Sequence, residues 1–117
     1  MRFTLGILAL SLLLTACSQR DTLLGQQIAG TWTREGSSTI TITPGGGYFV
    51  ITQKPGQTNF FAGTWQVRGG IFVMTMTNGP AFNGNALAGT IDRYRIIHVD
   101  NHQFVCEEEG QTITLTR

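Results

Sequence analysis

From residue 28 to the C-terminus, hydrophobic positions recur at every second residue. Ser38-Thr39-Ile40-Thr41-Ile42-Thr43 alternates strictly, and so does Gln111-Thr112-Ile113-Thr114-Leu115-Thr116. In both runs the isoleucines and leucine face one way and a row of threonines the other, as in antiparallel strands with one wet face. Residues 28–34, 48–53, 60–67, 71–77, 91–99 and 103–107 read as further strands. Turn residues separate them at Pro44-Gly45-Gly46-Gly47, Lys54-Pro55-Gly56-Gln57, Arg68-Gly69-Gly70, Asp100-Asn101 and Glu109-Gly110. About eight strands with short connections predict an all-β sandwich, or an antiparallel up-and-down meander closing into a small barrel.

Two stretches depart from this period. Asp21 is placed to cap one or two helical turns that carry Leu24 and Ile28 on one face. Gly25 inside those turns costs about 1 kcal/mol relative to alanine, so the helix needs something to pack on. Residues 78–88, rich in Asn and Gly around Pro80 and Phe82, show no period and predict one long connection. A short echo runs through the sheet: Ala29-Gly30-Thr31-Trp32 returns as Ala62-Gly63-Thr64-Trp65 and, degenerately, as Ala88-Gly89-Thr90-Ile91. Glycine there permits a bulge or close backbone approach, and the next inward position carries a ring. Tyr48-Phe49-Val50-Ile51 and Ile71-Phe72-Val73-Met74 are apolar on both faces. Either the N-terminal segment covers their outer side or an apolar patch is exposed.

The N-terminus changes the picture from a free domain to an exported one. Arg2, an uncharged and mostly apolar run at 3–14, and small residues before Cys17 read as a cleaved signal, since a spanning helix needs about 20 apolar residues. Leu14-Thr15-Ala16-Cys17 resembles the lipobox of bacterial lipoproteins. That resemblance implies cleavage of residues 1–16, acylation of Cys17 with palmitate-type chains, and a tether and short helix at 17–27 ahead of a domain at 28–117. Ser18 after the cysteine looks like an outer-membrane sorting signal, facing the protein to the periplasm. Lipidation leaves Cys106 as the odd cysteine, which alternates with Phe104 and reads as buried.

Charge and composition exclude more than they select. Eight Lys and Arg stand against seven Asp and Glu; loss of Arg2 with the signal leaves seven of each. No basic stripe of the kind nucleic-acid binders carry is present. Only 13% of residues are charged, below the roughly 25% usual for soluble domains, and threonine and glycine fill the gap.

Gly30-Thr31-Trp32 on the first strand, the turn at Pro44, and the terminal Leu115-Thr116-Arg117 resemble the small lipocalin-like domains of bacterial lipoproteins. The resemblance implies that Trp32 plugs one end of the barrel and that Arg117 packs across its ring, with Arg93 and Arg95 as substitutes. The chain is shorter than a full lipocalin, and barrels of about eight strands can be filled by their own side chains. Lipocalin-like barrels also occur as periplasmic protease inhibitors, and Ala29-Gly30-Thr31-Trp32 is similar to their opening strand. The short segment ahead of this barrel fits that activity less well than ligand binding.

Reactive chemistry is sparse. His98 and His102 straddle Asp100-Asn101. With a two-residue turn there, His98 faces Gln103 and the histidines fall on opposite sheet faces, so no metal site is expected. In that register Cys106 lies three residues beyond the partner of His98, about 10 Å at strand rise and too far for proton transfer. Glu107-Glu108-Glu109 alternates faces and reads as a solvated turn. The chain is therefore expected to be no enzyme and to need no cofactor. It is read as a lipid-anchored envelope module that binds a small apolar ligand or an envelope protein. Candidate contacts are Phe82 and Leu87 on the long connection, together with Trp65.

Overall fold

The structure, a computed structural model, describes residues 18–34, 38–54, 57–78, 81–82, 85–86 and 89–117. Cys17 and the segment before it lie outside the described residues. A helix over residues 18–28 leads into ten strands. These are β1 (Gly30–Arg34), β2 (Ser38–Ile42), β3 (Gly47–Lys54), β4 (Gln57–Arg68), β5 (Ile71–Asn78), β6 (Ala81–Phe82), β7 (Asn85–Ala86), β8 (Ile91–Val99), β9 (Gln103–Glu108) and β10 (Gln111–Thr116). Eight of them close into a barrel in the order β1-β10-β9-β8-β5-β4-β3-β2, all neighbours antiparallel. This is the up-and-down meander that the alternation predicts. Among the described residues each of the eight strands has a hydrogen-bonded neighbour on both sides, which closes the sheet on itself.

The period of two decides what each face does. Inward positions supply Trp32, Ile42, Tyr48, Phe72, Met74, Phe104, Cys106 and Leu115, which form one buried cluster with Ile28 of the helix. Outward positions carry the threonines; Thr31 and Thr41, directly opposed across β1 and β2, share a 3.2 Å hydroxyl contact. One end of the barrel, the base, gathers the helix, the 43–47 and 69–70 turns, the β8–β9 turn and Arg117. The other end, the mouth, carries the end of β1, the start of β2, the β9–β10 turn and the long connection between β5 and β8.

The helix closes the base. Ile28, its last residue, is completely buried. Gly25 accepts the Trp65 ring, whose edge atoms lie 3.4 and 3.5 Å from where a Cβ would stand. Asp21 does not start the helix as its capping role predicted. It sits one turn inside, and its carboxylate accepts the Gly69 and Gly70 amides at 2.8 and 3.1 Å. Both glycines have positive φ, which turns two successive N–H groups toward one oxyanion. Asp21 thereby ties the helix to the β4–β5 turn.

Other expectations shift in detail. Ile28 belongs to the helix rather than the first strand. The long connection is not structureless: β6 and β7 form a separate two-stranded ribbon, with Ala81 opposite Ala86 and Phe82 opposite Asn85. The β8–β9 hairpin is displaced from the predicted register. Val99 pairs with Phe104, so Asn101 and His102 make the turn instead of Asp100 and Asn101. Asp100 causes this by accepting the amides of His102 and Gln103 on one carboxylate oxygen, both at 2.8 Å. The N-terminal helix covers the base and not the outer wall, so Phe49 and Phe60 stack on each other in the open, centroids 6.2 Å apart.

Candidate functional site

The barrel is filled below and hollow above. At the base, Trp32 is 0% exposed and its indole N–H donates to the Ile28 carbonyl at 2.7 Å. Phe104 meets it edge-on, and Phe72 continues the stack toward Trp65 and Tyr94. The Arg117 guanidinium carbon lies 4.0 Å from the centroid of the Trp32 ring. The same side chain donates to the carbonyls of Ala29 at 2.9 Å, Asn101 at 3.0 Å and Gln27 at 3.2 Å. One cation thus joins the end of the helix, the β8–β9 turn and the plug. Gly30 makes room for it: φ is +136°, and a Cβ there would stand 2.6 Å from Arg117 Nη1. Arg93 and Arg95 point outward instead, and Arg95 pairs with Glu107 at 2.9 Å.

Above the plug lies a cavity of about 350 Å³. Its middle is apolar and aromatic, built by Ile40, Val50, Met74, Tyr94, Tyr48 and Cys106. Toward the mouth the wall turns polar with Ser38, Thr52, Arg34 and Asp92, and the Ser38 and Thr52 hydroxyls lie 3.3 Å apart. The volume falls at the lower end of the range for small-molecule sites. At a water's ~30 Å³ share of liquid volume it holds roughly a dozen non-hydrogen atoms.

The electrostatics of the cavity are asymmetric. Burial raises the Tyr48 and Tyr94 hydroxyl pKa values above the phenol range, and the Asp92 charge adds to both shifts. Glu108 is also raised, first by burial and then by Asp92 and Glu109, with Arg34 opposing. Cys106 is pushed up to about 11, chiefly by burial. At neutral pH the interior therefore presents neutral phenols and a neutral thiol to whatever enters.

Sequence-selected residues divide between the two ends. Trp32 and Arg117 meet at the base. Trp65 is also there, its indole donating to the Thr43 carbonyl at 2.9 Å, and is not brought together with the long connection at the mouth. Phe82 is described by its place in β6, while Leu87 and the acylation candidate Cys17 lie outside the described residues. His98 and Cys106 stand closer in register than expected, since His98 pairs with Val105 next to Cys106. They nonetheless point to opposite sides of the barrel wall. Cys106 is 4% exposed inside, while His98 lies outside and contacts Asp100 at 2.8 Å. A bulge at Ile97 produces this arrangement by adding a residue between Ile96 and His98. Among the described residues no group of three or more His, Cys, Asp or Glu could hold a metal.

The alternation rule carries three inward charges that a reading of charges as surface residues passes over. Arg34 follows Trp32 by two positions, Asp92 precedes Tyr94 by two, and Glu108 follows Cys106 by two. Each falls on the face that its neighbour occupies.

Comparison with known structures agrees with this architecture. A lipocalin-like protein from Bacteroides uniformis superposes with a TM-score of 0.63 at 15% identity, over 78% of this chain and 98% of that one. An uncharacterized protein from Bacteroides eggerthii gives 0.60 at 11% identity, over 76% and 98%. No protein-family model and no curated sequence matches the chain. The fold is that of a small lipocalin-like barrel.

Proposed function

We propose that the protein is a small-ligand binding module of the bacterial cell envelope, with the barrel cavity as its site. The observation that carries this reading is the hollow upper half. A chain that packs Trp32, Phe104 and Phe72 so closely at its base leaves a polar-rimmed, apolar space of about 350 Å³ above them. A base sealed by the Trp32 plug makes the space a pocket rather than a channel. Among the described residues the cavity wall offers no proton acceptor beside an activated nucleophile, which favours binding over catalysis.

In this proposal acylated Cys17 holds the protein to the outer membrane, with the domain in the periplasm. More than one acyl chain is needed, because a single chain anchors only marginally.

Two measurements test these halves separately. Octan-1-ol titrated into the wild-type barrel by calorimetry is expected to bind saturably. Val50→Trp, which fills the cavity, should abolish binding while thermal unfolding remains cooperative; unchanged binding in that variant would move the site elsewhere. Intact mass of the membrane fraction should show acyl chains on Cys17, and Cys17→Ser should leave the protein without lipid mass.

A further inference from the structure

Among the described residues Asp92 is the one carboxylate that lines the cavity, Glu108 lying inward but beyond it toward the mouth, and its position is unusual for a charge. It lies on the inward face of β8 opposite Met74 of β5, one inward step above Tyr94. Met74 is 9% exposed, which puts this level of the barrel below the rim. Among the described residues no hydrogen bond or ion pair ties the Asp92 carboxylate down. The outer-face carboxylates differ: Glu107 is paired with Arg95 and Asp100 is bonded to two amides and His98. Arg34, the cation in the same wall, sits on β1, three strands away around the closed sheet, and is solvent-exposed.

A half-buried carboxylate without a protein partner pays part of its desolvation and recovers none of it from a neighbour. An incoming donor restores the balance, and most strongly when that donor carries positive charge. Beside Asp92 the wall offers the Tyr94 ring, a face that also attracts cations, and the polarizable Met74. Tyr48, Tyr94 and Glu108 all register the Asp92 charge.

We propose that the cavity selects an organic cation: a small primary amine whose apolar body fills the aromatic middle and whose ammonium meets the Asp92 carboxylate. The inference rests on the cavity being the binding site and adds the chemistry of the ligand's head group. Size limits the body to a short chain or one ring, since the space holds roughly a dozen non-hydrogen atoms.

The test uses three eight-carbon probes that differ only at the head: octylamine, octan-1-ol and octanoate. At neutral pH the amine is protonated, as lysine is, and octanoate is ionised. Calorimetric titration of the wild-type protein should rank octylamine first, about tenfold or more tighter than octan-1-ol, with octanoate weakest. Asp92→Asn should bring octylamine down to the level of octan-1-ol and leave octan-1-ol unchanged. Octanoate binding as tightly as octylamine in the wild type overturns the inference without any variant, while leaving the cavity reading intact. An unchanged preference for octylamine in Asp92→Asn overturns it as well. Failure of all three probes, octan-1-ol included, removes the cavity as the site and the inference with it.

Discussion

The base and the upper half of this barrel are made from the same strands, yet they solve opposite problems. At the base every polar group that is drawn inside has a partner. The Trp32 and Trp65 indoles donate to carbonyls, Asp21 receives two amides, and Arg117 spans three structural elements. Large rings occupy the remaining space. In the upper half the inward positions carry Ser38, Thr52, Arg34 and Asp92, and the space between them stays open. The comparison teaches that stability and site are segregated along the barrel axis. A small barrel can remain hollow at one end because it is over-determined at the other.

Truncating the plug breaks that division most severely. Trp32→Ala removes a fully buried ring with its hydrogen bond and should cost about 3–5 kcal/mol by denaturant titration. Phe61, half-buried on β4, also lines the cavity; Phe61→Ala should cost only about 1 kcal/mol, because the space beside it is already empty. Equal losses at the two sites would mean that the cavity collapses and shares in the core.

The latch comes next. Arg117→Ala loses the ring contact and four hydrogen bonds, and about 2 kcal/mol is expected. Arg117→Lys should recover only part of this, since an ammonium cannot fork between carbonyls on separate elements. Gly30→Ala should reproduce the loss through strain at its positive φ and displacement of Nη1. A wild-type melting temperature in Gly30→Ala would show that the arginine is not needed where it lies.

Acid titration separates the ends by sign. Hydrogen bonds from His102, His98 and Gln103 hold Asp100 down to about 2 from its ordinary 3.8. Its folded-state value is depressed, so its stabilising contribution is present above 3.8 and is lost as pH falls toward 2. Glu108, at the mouth, is shifted upward. Its charged form is therefore penalised in the folded state, fully so above its folded pKa, and that penalty is relieved as pH falls toward 4.5. Asp100→Asn should flatten the acid side of the stability profile, whereas Glu108→Gln should remove a small gain on acidification. Chemical denaturation from pH 2 to pH 7 reads both.

The smallest effect concerns Cys106. With its thiol buried and pushed up to about 11, it should resist a bulky maleimide at pH 8 in the folded protein and react on unfolding. Rapid labelling of the native protein would show that the upper half opens widely.

Most of the strand order and the choice of Trp32 were legible in the sequence, because alternation and Gly-x-Trp chemistry act locally. The β8–β9 hairpin shows where local reading fails. Asp100-Asn101 has the composition of a two-residue turn, but the Asp100 carboxylate captures the next amides and moves the turn forward by one. The helix start was misread for the same reason: Asp21 found its donors across the fold, at Gly69 and Gly70, and not in its own first turn. Arg34, Asp92 and Glu108 were legible by parity, since each lies two residues from an inward side chain. Reading Glu107-Glu108-Glu109 as a solvated turn passed over the inward one. Whether the space among them would be filled depends on the summed volume of side chains from all eight strands, which no single strand reveals.

The seam of the barrel has a temporal consequence. Among the described residues β1 meets β10 only through Thr33 opposite Thr116 and Arg34 opposite Leu115, and Arg117 then reaches back to Gln27 and Ala29. The first strand accordingly has no partner on that side until residues 111–117 have been synthesised. Before that moment the sheet is an open ribbon with Trp32 unclamped, and long-range closure of this kind is intrinsically slow. Until the last strand arrives the chain is an unclosed sheet, and the barrel forms only once both ends of the domain are available to each other.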